Sequence, residues 1–165
     1  MRGENVRLAR ISYEQKSVLR SLMELYQYDM SPYEDDSDND VNEHGLYDYK
    51  YVDHYWTEEG RHPYFVKVSG KLAGFVLVRE IEASDLSAPD YSMAEFFILK
   101  KYRKQAIGKQ AAFQVFEWFR GKWSIAWLEK NLPAQNFWST IISEYKAGEY
   151  SETTYAGHPA IEFYS

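Results

Sequence analysis

The sequence predicts a mixed α/β (α+β) fold in one domain spanning residues 1–165, and three observations predict it. Short alternating or apolar runs bounded by turn residues read as strands. Between them lie segments whose apolar residues recur at three- and four-residue steps, the spacing of amphipathic helices. No linker and no internal repeat divides the chain, and 45% hydrophobic residues suffice for one core.

Val6-Arg7-Leu8-Ala9 alternates as a strand. Ser12 and Gln15 then form a capping-box pattern ahead of Val18, Leu19, Leu22, Leu25 and Tyr26, which predicts a helix. From Met30 to His62 periodicity is lost, except that Val52, Tyr55, Trp56 and Glu59, closed by Gly60, fit one short helix.

Tyr64–Val68 and Leu72–Val78 flank Ser69-Gly70, the pattern of an antiparallel hairpin with a tight turn. A polar loop is expected over Ser84–Asp90. Met93–Leu99 ends in an unbroken apolar run, which suits a central strand covered on both faces.

Ile107, Ala111, Val115 and Trp118, with Ala112, Phe116 and Phe119 beside them, make a broad helical face that ends at Gly121. Trp123–Leu128 alternates as the next strand. Pro133 suits the first turn of a helix carrying Ala134, Phe137, Trp138, Ile141, Ile142 and Tyr145. Tyr150–Thr154 and Ala160–Tyr164 close the sheet.

Composition removes several function classes. Without cysteine there is no disulfide, thiolate nucleophile or cysteine-ligated metal, and the four histidines lack the spacing of a zinc site, so no metal is expected. A net charge of −6 argues against nucleic acid as the partner and makes a cationic one easier to accommodate. No run approaches the ~20 apolar residues of a membrane span and the first residues lack a signal peptide's apolar centre, so a cytoplasmic protein is expected. Asp36, Asp38 and Asp40 resemble the start of a calcium loop, but Val41 stands where glycine is needed and Tyr47 where the bidentate glutamate belongs. The acidic run Glu34–Asp40 therefore reads as a solvated loop or as a recruiter of cationic substrate.

The chemistry concentrates after the central strand, where Lys100-Lys101-Tyr102-Arg103-Lys104-Gln105-Ala106-Ile107-Gly108-Lys109 passes through a basic turn into a helix. A helix start offers unpaired N–H groups and a positive dipole end, so an anion gains hydrogen bonds there, and Gly108 leaves room for a pyrophosphate. The same pattern also fits a solvated basic turn.

Arg103–Gly108 resembles the Arg/Gln-x-x-Gly-x-Gly/Ala signature of the GNAT superfamily of N-acetyltransferases, and Asn131-x-x-Ala134-x-x-Phe137-Trp138 resembles its Asn-x-x-Ala-x-x-Phe-Tyr segment. Together they cover Met93 to Tyr145. The resemblance implies a central, mostly antiparallel mixed sheet of six to seven strands flanked by helices, splayed between the fourth and fifth strands. It implies acetyl-CoA as cosubstrate, held by Phe97, Ile98, Leu99, Arg103, Lys104, Gln105, Ala106, Ile107, Gly108, Lys109 and Asn131. Asn131 also reads as a helix cap.

The sequence departs from the signature at Ala106, where the first glycine usually stands, and at Trp138, where many members carry a tyrosine proposed to protonate the leaving thiolate. Glu95, interrupting an apolar strand, resembles a strand glutamate used as base in some members, and otherwise reads as a structural carboxylate. Tyr145 is a candidate acid, with packing as the commoner reason for a tyrosine there. Tyr28, Tyr51 and Trp56 are candidate acceptor contacts through cation–π attraction, as are Tyr47 and Tyr55.

The expected function is acetyl transfer to a primary amine, of a small molecule or a peptide, by direct attack on the thioester. The alternatives are a non-catalytic acyl-CoA-binding or regulatory domain, or an interaction domain without the cofactor. No nucleic-acid or membrane partner is expected, and a homodimer is allowed.

Overall fold

The computed structural model describes residues 5–35, 39–85 and 88–165. Asp36 and Asp38 of the acidic run lie outside the described residues, as do positions 86–87 of the expected polar loop.

The first strand, β1 (Val6–Arg10), leads through a single 3₁₀ turn into helix α1 (Lys16–Met30). Ser12 N–H donates to Gln15 Oε1 at 3.1 Å, so the predicted capping pair does stand at this entry. The buried face of α1 is Leu19, Leu22 and Met23, whereas Val18 and Leu25, expected on it, are exposed. Helix α2 is shorter than predicted, His54–Thr57, with Val52 and Tyr55 buried and Gly60 at φ +77° reversing the chain.

Strands β2 (Arg61–Val68) and β3 (Lys71–Asp85) turn at Ser69 and Gly70, both with positive φ, which is the two-residue hairpin turn that matches strand twist. Strand β4 runs over Ala88–Ile98. The polar stretch Ser84–Asp90 is thus largely paired strand rather than loop, with Ile81 opposite Asp90 and Asp85 opposite Ala88. Backbone pairing with β3 outweighs the polar composition that suggested a loop.

Helix α3 spans Ile107–Trp118, and Trp118, expected on the apolar face, is 53% exposed because the helix ends there. Strand β5 is Lys122–Ala126, two residues shorter at its end than the alternation predicted. Helix α4 (Leu132–Lys146) and the hairpin β6 (Ser151–Tyr155) and β7 (His158–Tyr164) complete the chain.

The seven strands form one mixed sheet in the order β1-β2-β3-β4-β5-β7-β6, antiparallel except for the parallel β4–β5 pair. On one face α3 and α4 cover a core of Val76, Val78, Val115, Phe116, Trp123 and Ile161. On the other, α1 and α2 cover Leu19, Met23, Tyr55, Phe65, Phe75 and Phe97. Gly74 lets β3 approach β4: a Cβ there would lie 1.9 Å from the Phe97 carbonyl oxygen. Among the described residues, no helix is long and apolar enough to cross a membrane.

Candidate active site

The site begins where β4 and β5 part. They pair only at Asp90–Ser92 with Lys122–Ser124, so from Met93 to Ile98 the β5 side of β4 has no strand partner. This is the splay expected between the fourth and fifth strands. On the other side of β4, Leu77 pairs with Glu95 and Val78 with Met93, which leaves Ala94 as a bulge at the point of divergence. Bulges re-aim side chains and break pairing at such places.

A cavity of about 780 Å³ opens at this fork, large enough for a small ligand. Its floor is Ser92–Glu95, its far wall Ala126–Leu128 at and beyond the end of β5, and α1, α2 and the Tyr47–Tyr51 segment cover it. Trp127 and Leu128, predicted as strand, leave the sheet and form this wall.

Glu95 stands at the floor with both oxygens engaged. Tyr26 Oη donates to Oε1 at 2.7 Å and Tyr49 Oη to Oε2 at 2.9 Å. Withdrawal from solvent raises the Glu95 pKa above the ordinary 4.5, and the nearby Glu34 charge adds to this, while the two tyrosine hydrogen bonds oppose it. The tyrosines are held protonated in turn, Tyr26 and Tyr49 both pushed well up by burial and by the Glu95 charge.

Four further polar atoms on the cavity wall lack a well-formed hydrogen bond among the described residues: Gln27 Oε1, Tyr55 Oη, Trp127 Nε1 and His54 Nδ1, the last lying 3.4 Å from Glu58 Oε2. Tyr55 is 2% exposed, so its hydroxyl lacks water as well. Buried groups of this kind are normally paired, and their convergence on one cavity marks a place built to receive a polar ligand.

The basic turn has a distinct geometry. Lys104 and Ala106 both adopt left-handed backbone, φ +61° and +63°, and Ala106 caps α3. The first helical bond is Gln110 N–H to the Ala106 carbonyl, so the N–H groups of Ile107, Gly108 and Lys109 have no acceptor within the helix. Lys104, Gln105 and Ala106 are exposed. This helix start, with small or solvated side chains and no acidic one at the turn, fits a pyrophosphate.

Other predicted cofactor residues have structural engagements. Arg103 turns inward, donating from Nε to the Ile98 carbonyl at 2.7 Å and from Nη2 to Asp29 Oδ2 at 2.8 Å. Lys109 pairs with Glu144 at 3.1 Å, and Gln105 Nε2 donates to the Lys101 carbonyl. A Cβ at Gly108 would lie 3.1 Å from the Phe137 ring, so this glycine seats α3 on α4 besides clearing the helix start. Phe97, Ile98 and Ile107 are buried, and Leu99 N–H donates to the Ala73 carbonyl at 2.7 Å. Asn131 caps α4, accepting from Ala134 N–H at 3.0 Å.

The remaining predicted contacts separate. Tyr145 lies among Phe113, Phe116 and Phe163 with its hydroxyl on Glu117, away from Glu95 and outside the cavity lining; burial and Glu117 push its pKa up to about 12. Tyr28 is 69% exposed, and Trp56 donates its indole N–H to the Ile11 carbonyl, so neither lines the cavity. Tyr51 does line it, with Tyr47 and Tyr55. Sequence reasoning missed Tyr26, Tyr49, Arg61, Arg79 and Trp127. The period-two pattern of β2 and β3 puts Arg61 and Arg79 on the α2 side, the signal that points to them.

A model of the acetyltransferase (GNAT) family matches residues 21–140. No curated protein sequence matches the chain significantly. Among solved structures, an acetyltransferase from Thermus thermophilus superposes with a TM-score of 0.66 at 10% identity, covering 96% of this chain and 94% of that one. The paia N-acetyltransferase of Thermoplasma acidophilum, in complex with coenzyme A, gives 0.59 at 12% identity, with 98% and 99% covered. The aminoglycoside N-acetyltransferase AAC(6')-Iy, in complex with CoA, gives 0.58 at 16% identity, with 85% and 88% covered. A signature turn at a helix start, a sheet that forks after its fourth strand and a family match over most of the chain agree: this protein belongs to the acetyltransferase (GNAT) family.

Proposed function

We propose that the protein transfers the acetyl group of acetyl-CoA to a primary amine bound in the cavity, with Glu95 taking the amine's proton. The observation that carries this reading is the Glu95 carboxylate at the fork of β4 and β5, facing a cavity on one side of a sheet whose other requirement, an anion-binding helix start, lies at the end of the same strand.

Acetyl-CoA supplies the activated thioester. The N–H groups of Ile107, Gly108 and Lys109 hold its pyrophosphate, and the unpaired edge of β4 from Met93 to Ile98 holds its pantetheine arm by strand-like hydrogen bonds. Arg103 braces the end of β4 through Ile98 and Asp29 rather than reaching outward.

An alkylammonium has a pKa of ~10.4 and cannot attack until it loses a proton. Glu95, with its pKa raised by burial above that of an ordinary carboxylate, accepts that proton while Tyr26 and Tyr49 fix the carboxylate in place. The C–N bond forms, the C–S bond breaks with its electron pair leaving on sulfur, and the second proton of the nitrogen passes to the departing thiolate or to water, which leaves a neutral amide. A thiol pKa near ~8.5 lets the thiolate depart without a dedicated acid, so Trp138 in place of a tyrosine is tolerated. Placement of amine and thioester in one cleft accounts for as much as ~7–11 kcal/mol of the barrier.

The test is free CoA release with a panel of primary amines. Amine-dependent release that falls at least tenfold in Glu95→Gln supports the reading. Cofactor binding without release for any amine overturns it and leaves an acyl-CoA-binding domain.

A further inference from the structure

We infer that the acceptor is an amino-acid-like zwitterion, its amine at Glu95 and its carboxylate at a guanidinium pair formed by Arg61 and Arg79. This rests on the acetyl-transfer reading for the identity of the reacting amine, but the anion subsite stands on its own observations.

Arg61 on β2 and Arg79 on β3 are direct cross-strand partners, and both line the cavity. Like charges directly opposite each other destabilise a sheet unless something negative lies between them. Glu58 supplies one carboxylate, 3.1 Å from Arg61 Nε. Arg79 has no ion-pair partner among the described residues, and Glu80 beside it is turned to the other face, where it pairs with His62. Of the two guanidiniums that line the cavity, Arg61 is ion-paired and Arg79, which is exposed, is not, among the described residues. Arginine is also the side chain whose fork of donors matches a carboxylate.

The spacing fits one compact molecule. Glu95 pairs with Leu77, two residues along β3 from Arg79, which is about 7 Å along the strand. Arg79 is opposite Ser92, another floor residue. Tyr55 lies between the two charged ends. Besides burial, which dominates, Glu95 raises the pKa of its hydroxyl and Arg61 lowers it, so both charges act on the same atom. The Arg61 guanidinium sits 5.3 Å from the Tyr55 ring centroid. Arg61 reaches the Tyr55 hydroxyl and can only donate to it, so the hydroxyl's own proton is the group left for a ligand that bridges Glu95 and Arg61.

A cation alone, such as a polyamine, uses the acidic end and gives Arg79 no counter-charge. An amine and a carboxylate a few bonds apart satisfy both ends, with aromatic side chains of the Tyr47–Tyr51 segment and Trp127 around the middle.

The experiment pairs free amino acids with their decarboxylated amines, phenylalanine with phenethylamine, leucine with isopentylamine and lysine with cadaverine. CoA release gives kcat/KM for each, and calorimetry gives each Kd on the protein without acetyl-CoA. The expected result is a preference of about tenfold or more for the amino acid of at least one pair. That preference collapses in Arg79→Gln, partly returns in Arg79→Lys, and persists in Arg120→Gln on the far side of the molecule. Equal kcat/KM within every pair, or a loss in Arg79→Gln shared by both members, overturns the subsite while acetyl transfer stands. Arg79-dependent binding of amino acids with no CoA release supports the subsite and sinks the transfer reading instead.

Discussion

Tyr49 Oη donates to Glu95 Oε2 at 2.9 Å, joining the irregular segment over α2 to the floor strand of the cavity. The bond favours the ionised carboxylate, against a burial that favours the protonated one. Removing the donor therefore leaves burial less opposed. In Tyr49→Phe the acid limb of the kcat/KM profile moves to higher pH, while the plateau above it changes less. A limb that stays in place or moves to lower pH refutes Tyr49 as the group that sets Glu95.

Replacing the carboxylate itself separates catalysis from stability. The folded-state pKa of Glu95 is raised above its unfolded value of about 4.5, so its ionisation works against folding. Its contribution to stability is greatest below pH 4.5 and is lost as pH rises through the folded pKa. Glu95→Gln removes that penalty, so Tm at pH 7 stays equal or rises, whereas activity falls by about 10²–10⁴ and the acid limb flattens. A large drop in Tm together with retained activity contradicts the assignment.

Ala106 shows what the departure from the signature costs. Left-handed backbone disfavours an L side chain by about 1–2 kcal/mol, while the greater freedom of glycine in the unfolded chain offsets about 0.4–1 kcal/mol. Ala106→Gly is thus expected to be neutral or to stabilise by up to about 1.5 kcal/mol, a Tm rise of as much as about 6 °C by calorimetry. The same exchange at buried Ala111 in the interior of α3 lowers Tm, since there glycine loses both helix propensity and a buried methyl group. Matching losses at both positions disprove a strained Ala106.

These residues also show where sequence reading reaches and where it stops. Helices α3 and α4 were legible because Ile107, Ala111, Val115, Ile141 and Ile142 repeat at helical steps whatever they pack against. The positive φ at position 106 was visible only as a missing glycine. Glu95 stood out because a carboxylate breaks an apolar strand, but its partners did not, since Tyr26 and Tyr49 read equally well as core or surface aromatics. The extent of β3 and β4 was hidden because their distal ends are polar and are held by pairing with each other. Arg61 and Arg79 converge on the cavity through a register that shifts where β3 pairs with β2 and again where it pairs with β4, which no local pattern encodes.

Gly74 sets how closely β3 approaches the end of β4. An added methyl would sit 1.9 Å from the Phe97 carbonyl oxygen, and its nearest neighbours are all backbone, so relief requires β3 and β4 to move apart. Gly74→Ala is expected to cost about 1–3 kcal/mol, read as a lower denaturant midpoint with unchanged m. It should weaken CoA binding too, because the displaced segment is the edge of β4. A stable variant with wild-type CoA affinity contradicts that role.

Arg103 was expected at the phosphate and is instead bound to Ile98 and Asp29, and the two roles have separable signatures. A brace acts on stability: Arg103→Gln and Asp29→Asn each remove one side of a half-exposed charged bond and lower stability, by amounts at the lower end of the about 1.5–3 kcal/mol such bonds carry. A phosphate ligand acts on affinity, and its loss reduces the salt dependence of CoA binding. The inward geometry predicts the first pattern. Both variants should lower Tm, Arg103→Gln by more because it also loses the bond to the Ile98 carbonyl, and Asp29→Asn should leave the salt dependence of the CoA Kd intact. In Arg103→Gln that dependence should persist as well, since the α3 N–H groups and solvated Lys104 remain. A flattened salt dependence in Arg103→Gln without a loss of Tm returns the arginine to the phosphate.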